Sequence, residues 1–486
     1  MFNDQNPPQQ ADSQLHGNDP DYLNQIDPEI FLKDETDDHL TEESDGYSTD
    51  EDDDPLAAFE EVLASVNLEF LPHFASIVRQ TIEPGAEHKC SMIGEPMHGS
   101  FNILFPLDFD DGVRWLLRVP ARGVKGKWDE MAASALTTEV LTMLMLKRET
   151  TIPLPEVFHF SDTTENSLRC PYILMLNISG LPLYNVWFGQ HLNGVDQETL
   201  RSRRTQMLDD IASAMAQLEP YSYSSSGSVQ FDSDWDPLGV GPVRQFDPKA
   251  AQDCQITDDL LYVDQPAMSD PEKFYTFLLD LHPETNADHG EEILLRRMIS
   301  WIPKPIGPKP FVLAHPDFDV QNFIVSEDGH LQGIIDWDGI MAVPRSIGNE
   351  GYPGWLTRDW DPLMYGYKES MDDGVEPLGV WEDSPESLKY YRSVYRQSML
   401  KARGTTESID TTRMSLIAEN LRIAAYSPAC RIHILIKMVG GIFGTEGDEA
   451  LRKCCDLVNA FAEDKVDESE LAAMKDGFKK LLEMPM

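Results

Sequence analysis

The chain has 486 residues, 41% of them hydrophobic, and a formal net charge of −45. That length predicts two lobes or domains rather than one core, and the acidity argues against nucleic acid and anionic membrane as partners. The six cysteines are scattered without a C-x-x-C pair, which argues against a structural zinc site and suits a reducing compartment. No apolar run is long enough to span a bilayer, and Met1 to Gln10 lack the basic-then-apolar order of a secretory signal. The expectation is a cytoplasmic protein, with the nucleus as the other compartment.

Residues 1–54 carry 18 acidic residues against one basic residue, Lys33. Such a segment cannot bury enough apolar surface to offset its ordering entropy and reads as a disordered tail. It offers a docking element for a basic protein partner, and Ser48, ahead of Asp50-Glu51-Asp52-Asp53-Asp54, resembles an acidophilic kinase site. The remaining chain keeps a net charge of about −28, so its acidity is not confined to the tail.

Apolar residues at helical spacing predict a helix over 56–81. Two β-rich runs, Phe101–Leu107 and Val113–Val119, flank an Asp-Gly turn and read as a hairpin. Leu136, Val140, Met143 and Leu144 predict a helix over 129–147, and two further strands follow at 156–160 and 172–177. After Gly180 helices dominate, at about 196–218, 271–281, 290–301, 385–402, 412–426, 447–463 and 468–483. The Ser-, Gly- and Asp-rich stretch 219–250 reads as a long irregular insertion. Gly440-Gly-Ile-Phe-Gly444 reads as a helix terminator.

Chemistry concentrates between Ala314 and Asp338. Apolar runs flank a polar loop at His315–Asn322, and an Asp-Gly turn at 328–329 folds Phe323–Val325 back on Leu331–Ile335. That hairpin brings Asp336 near Asn322 and Asp317. Hard oxygen donors of this kind suit Mg²⁺, and a carboxylate beside them can take or orient a hydroxyl proton. Together they form the parts of a phosphoryl-transfer centre.

The string His315-x-Asp317-x-x-x-x-Asn322, followed by the hairpin and Ile335-Asp336-Trp337-Asp338, resembles the catalytic loop and metal-binding segment of the aminoglycoside phosphotransferase family, relatives of protein kinases and of choline kinases. The segment Gly351-Tyr-Pro-Gly-Trp-Leu-Thr-Arg-Asp-Trp-Asp-Pro362 is similar to fungal members, and the resemblance covers roughly residues 56–370. It implies an α+β, protein-kinase-like bilobal fold, with a small β-rich N-lobe over 55–180 and a larger, mostly helical C-lobe over 181–486. It further implies ATP and Mg²⁺, with Asp317 as base, Asn322 and Asp336 as metal ligands and His315 as a brace of the loop. Arg118 stands where the nucleotide-binding Lys of kinases is found, with Glu139 as its helix partner. Gly99, Ser100 and Asn102 fall where a phosphate-covering loop is expected, although a plain turn before a strand would look the same. Met175–Gly180 is the implied hinge.

The implied activity is transfer of the ATP γ-phosphate to a hydroxyl of a small molecule. The acid excess, with Asp338, Asp359 and Asp361 as candidates, points to an amine-bearing acceptor. The alternative is a nucleotide-binding pseudokinase acting as a regulatory or scaffold module, suggested by Arg118 and by a loop poor in glycine.

Overall fold

The computed structural model describes residues 56–85, 87–247, 262–281, 289–305, 307–404 and 407–483. The acidic tail, Ser48 and Cys254 lie outside the described residues.

The N-terminal part is built on an antiparallel sheet. Its strands are β1 (Cys90–Met92), β2 (Met97–His98), β3 (Asn102–Phe109), β4 (Arg114–Pro120), β5 (Val157–Ser161) and β6 (Tyr172–Leu176), in the order β1-β3-β4-β6-β5, with β2 also paired to β3. The predicted hairpin is β3–β4, in a register that sets Leu104 opposite Arg118 and Asn102 opposite Pro120. Alternation divides the sheet into two faces. Ile103, Phe105, Leu107, Trp115, Leu117 and Leu174 pack beneath helices α1 (Glu60–Ser65) and α2 (Leu71–Ile82). The opposite face carries Arg118 and Ile173, and Ile173 packs on Leu136 and Val140 of α3 (Glu130–Glu149). Helix α3 starts where Asp129 accepts a hydrogen bond from the Ala132 amide at 2.7 Å, an N-cap that satisfies one orphan donor.

One helix was expected over 56–81, but two form. Val66 turns extended after α1, the Asn67 amide binds the Leu168 carbonyl at 3.0 Å, and Pro72 sits in the first turn of α2. A proline there has no amide to lose, whereas inside one continuous helix it would break a bond.

The second part is mostly helical. It contains α4 (Leu183–Trp187), α5 (Gly189–Asn193), α6 (Gln197–Met215), α7 (Pro271–Leu281), α8 (His289–Ile299), α9 (Pro385–Arg403), α10 (Glu407–Tyr426), α11 (Pro428–Phe443), α12 (Gly447–Ala462) and α13 (Glu468–Glu483). These surround a large core that includes Trp187, Trp337, Trp355, Tyr395 and Phe478. Helix α11 was not anticipated. It runs through Gly440 and Gly441 and stops at Gly444, whose φ of +69° ends the helix in a left-handed cap.

The stretch 219–250 also departs from expectation, because it contains strands. Ser222–Tyr223 (β8) pairs with Phe311–Ala314 (β13), which in turn pairs with Met341–Pro344, the last strand among the described residues. Ser228–Phe231 (β9) and Pro237–Gly241 (β10) form one ribbon. Val243–Phe246 (β11) and Tyr262–Gln265 (β12) form another. The second ribbon reaches the N-terminal sheet, where Phe246 meets Phe101 with ring centroids 5.8 Å apart. Two- to five-residue strands rich in Ser, Gly and Pro leave little periodicity to read.

Candidate active site

Strand β13 delivers the chain to His315, and a 3₁₀ turn over Val320–Asn322 passes it to Phe323–Val325 (β14), which folds back on Leu331–Ile334 (β15). The Asp-Gly turn lies between these last two strands, as the sequence requires. Leu181–Pro182 (β7) pairs on the other side of β14.

Asn322 is 4% exposed. Its Nδ2 donates to the backbone oxygen of Asp317 and to Asp317 Oδ2, both at 2.8 Å. Gln321 Nε2 donates to the same Oδ2 at 2.7 Å. Desolvation by surrounding protein, reinforced by Asp319, raises the Asp317 carboxyl above its ordinary value against the pull of these two amides and of Arg358. The group is nonetheless open to solvent at its surface.

His315 is buried, and both ring nitrogens are engaged. Nε2 lies 2.9 Å from the Ile335 carbonyl, so it carries the proton and donates. Nδ1 accepts from the Asp317 amide at 3.3 Å. The ring meets Trp337 edge-on at 4.6 Å. Burial depresses the imidazole to about 4, against the raising effect of the Ile335 carbonyl and Asp336. A neutral histidine fixed this way, with both nitrogens engaged, ties the loop to the end of the hairpin rather than relaying protons.

Asp336 follows β15 with φ +58°, a left-handed conformation that is uncommon outside glycine and marks functional sites. Its Oδ1 is 3.4 Å from Arg118 Nη1, which links the two halves of the molecule. Arg118 Nη2 donates to Glu139 Oε2 on α3. Burial alone would lower the guanidinium pKa, but Glu139, Asp336 and Asp338 outweigh it and raise it, so Arg118 stays charged. Three carboxyl groups therefore share one guanidinium. Burial pushes Glu139 up to about 8, opposed by Arg118. Asp338, exposed at its surface but walled by protein, is raised by desolvation and by Asp336 against the pull of Arg118.

The structure thus brings together His315, Asp317 and Asn322 in one network, and Arg118, Glu139 and Asp336 in another. Gly99, Ser100 and Asn102 lie at the entry to β3, next to the strand that carries Arg118. The Gly99 amide donates to the Asn102 carbonyl at 2.9 Å, so this stretch is a closed turn whose amide already has a partner. Asp359, considered as a contact for a cationic substrate, is buried and paired with Arg392 at 2.6 Å, and Asp361 is also buried. Neither presents a carboxylate to a ligand. Asp319, Gln321, Arg358 and Glu382 had been overlooked. The first two stand inside the His315–Asn322 string itself, whereas the others reach the loop only through the fold.

A β-sheet half, a helical half and this loop–hairpin pair make up a kinase-like α+β fold. The sequence profile of the phosphotransferase enzyme family matches residues 107–346, a segment that contains both networks. Among curated proteins, it is 24% identical over 361 residues to an Aspergillus fumigatus subtelomeric hrmA-associated cluster protein, covering 60% of this chain and 66% of that one. It is 21% identical over 352 residues to altered inheritance of mitochondria protein 9, mitochondrial, of Kluyveromyces lactis, covering 62% of this chain and 56% of that one. The chain thus spans about two thirds or less of these relatives. Among solved structures, aminoglycoside phosphotransferase APH(4)-Ia is 14% identical with a TM-score of 0.37, covering 81% of this chain and 100% of that one. Plasmodium vivax ethanolamine kinase is 13% identical with a TM-score of 0.37, covering 82% and 91%.

The cytoplasmic expectation is overturned by the relatives from Kluyveromyces lactis, Candida albicans, Yarrowia lipolytica and Candida dubliniensis, which are named as mitochondrial proteins. Composition and the lack of a secretory pattern carry no information against a mitochondrial address. No helix among the described residues is long and apolar enough to cross a membrane.

Proposed function

We propose that this protein transfers the γ-phosphate of ATP to a hydroxyl group of a small molecule. The observation that carries the reading is the convergence of Asp317, Asn322 and Asp336 beside the Arg118–Glu139 pair. Asp317 Oδ2 is anchored by two side-chain amides, which leaves Oδ1 to accept the proton of an acceptor hydroxyl. As that proton moves, the acceptor oxygen bonds to the γ-phosphorus, the bond to the bridging oxygen breaks, and ADP departs. A raised carboxyl suits this role, because a base works best with a pKa nearer the operating pH. Arg118, held by Glu139, meets the nucleotide phosphates from β4, and a guanidinium can bridge two phosphate oxygens.

The residues present fit Mg²⁺. The Asn322 Nδ2 is committed to Asp317, so its Oδ1 is the atom left for a metal, and Asp336, with a side chain 48% exposed, supplies a carboxylate. Three carboxyl groups around one guanidinium leave negative charge for a divalent cation to balance. When bound, Mg²⁺ neutralises charge on the phosphate oxygens.

Thermal shift with Mg²⁺ and ATP on wild type and Asp336→Asn tests the site. The reading expects a Mg²⁺-dependent rise in wild type that the variant loses, followed by ATP consumption with a hydroxylated amine, sugar or amino alcohol. The closed Gly99 turn and the arginine at position 118 favour a second reading, a nucleotide-binding pseudokinase. That reading expects the same shift but no phosphoryl transfer. A basic protein partner for residues 1–54 belongs to the proposal as well, and deletion of the segment tests it separately.

A further inference from the structure

The catalytic loop is held from below by a residue outside it. Asp319 Oδ1 accepts the Val320 amide at 2.7 Å and so caps the 3₁₀ turn that ends at Asn322. Asp319 Oδ2 accepts from Arg358 Nη2 at 3.0 Å, while Arg358 Nη1 donates to Glu382 Oε1 at 2.9 Å. The Arg358 and Glu382 side chains are only 17% and 4% exposed. The next residue, Asp383, accepts from Trp187 Nε1 at 2.6 Å and from Arg204 Nη1 at 2.7 Å, so the anchor is itself fixed in the helical core. Gly354 completes the cradle. Its amide donates to the Phe318 carbonyl at 2.8 Å, and a Cβ there would fall 2.9 Å from Asp319 Oδ2.

A buried ion pair adds little net stability over apolar packing of the same volume, because desolvation offsets the attraction. The gain from this one lies in the position it fixes. We propose that Arg358 is a positioning residue for phosphoryl transfer. By gripping Asp319 against Glu382 it sets the turn that aims Asn322 at Asp317. The segment 351–362 thereby acquires a role, as the floor of the catalytic loop. The proposal rests on the phosphotransferase reading above.

The test uses the full chain with Arg358→Met and Arg358→Lys. Phosphoryl transfer from Mg·ATP to a panel of hydroxylated amines, sugars and amino alcohols, and to water, is followed with γ-labelled ATP, alongside thermal melting and hydrogen exchange of peptides covering 315–325. The expected result for Arg358→Met is a kcat about ten- to a hundredfold lower, with a smaller rise in the KM for ATP. Exchange should quicken in the loop peptides while the helical core stays protected. Arg358→Lys, which keeps the charge, should recover part of the rate. A wild type that transfers no phosphate overturns the phosphotransferase reading and this one with it. An active wild type matched by Arg358→Met in kcat and loop exchange overturns the positioning role alone. Loss of melting temperature and of protection throughout the core, without recovery in Arg358→Lys, assigns Arg358 to global stability and also overturns it.

Discussion

The carboxamide of Asn322 donates to two oxygens of Asp317 at once, the backbone carbonyl and Oδ2, each at 2.8 Å. One side chain therefore closes the loop and orients the candidate base, and its own oxygen is left for the proposed metal. The base and the metal ligand of the proposed mechanism act as a unit, and their substitutions should not add. Asp317→Asn should lower phosphoryl transfer by about 10²- to 10⁴-fold while leaving the Mg·ATP thermal shift in place. Asn322→Ala should lower both. A variant Asp317→Asn that retains wild-type ATP consumption in a coupled assay would remove Asp317 from the reaction.

Arg118 and Glu139 make a different kind of pair, buried on both sides and close to two more acids. Arg118→Met leaves Glu139 buried without its cation, and breaking a buried pair costs about 3–5 kcal/mol. Arg118→Met with Glu139→Gln removes the stranded charge and should restore most of the loss. Urea denaturation of the two single variants and the double closes the cycle. A loss in the double variant equal to the sum of the two single losses would mean that the pair contributes no coupling.

Most of this centre was legible in the sequence because its parts are local. His315, Asp317 and Asn322 lie within eight residues, and the Asp-Gly turn alone brings Asp336 back to them. Arg118 and Glu139 were readable only through the family resemblance, which marks a nucleotide-binding position on that strand and a partner on the helix that follows. The Asp319–Arg358–Glu382 ties were not, since their members are 39 and 24 residues apart and only the fold joins them. The two ribbons of the insertion were missed because their strands are short and rich in turn residues. Break points such as Val66 depend on what the next segment packs against, here the Leu168 carbonyl.

The buried titratable groups predict opposing pH effects. In the unfolded chain His315 takes up a proton near pH 6.5, whereas in the fold it resists until about 4. Between those values the unfolded state binds more protons, so His315 makes stability fall as pH drops through this window, by on the order of 2–3 kcal/mol. Glu382, pushed up by burial to about 7, binds a proton in the fold that the unfolded chain releases near 4.5. Its contribution falls as pH rises from 4.5 through the folded value. Gln at position 315 can still donate to the Ile335 carbonyl, so the difference between wild type and His315→Gln isolates the first effect. Urea melts at pH 7 and pH 5 should show wild type losing stability relative to the variant at the lower pH. A constant difference would refute the assignment.

Gly180 joins the two halves at the point where β7 begins to pair with β14. Its φ is +153°, and a Cβ there would fall 2.6 Å from Ile324 Cγ2 and 2.8 Å from the Val325 carbonyl. The glycine lets the connecting chain lie directly on the strand that follows Asn322, so the hinge and the catalytic loop share a contact with no side chain between them. Gly180→Ala must either push β14 away or shift the connection, and overpacking of this kind costs about 1–3 kcal/mol. If β14 moves, Asn322 moves with it, and transfer should fall further than stability alone explains. Measuring melting temperature and ATP consumption on the same preparation separates the two. A stable Gly180→Ala variant with full activity would mean that the hinge can shift without reaching the loop.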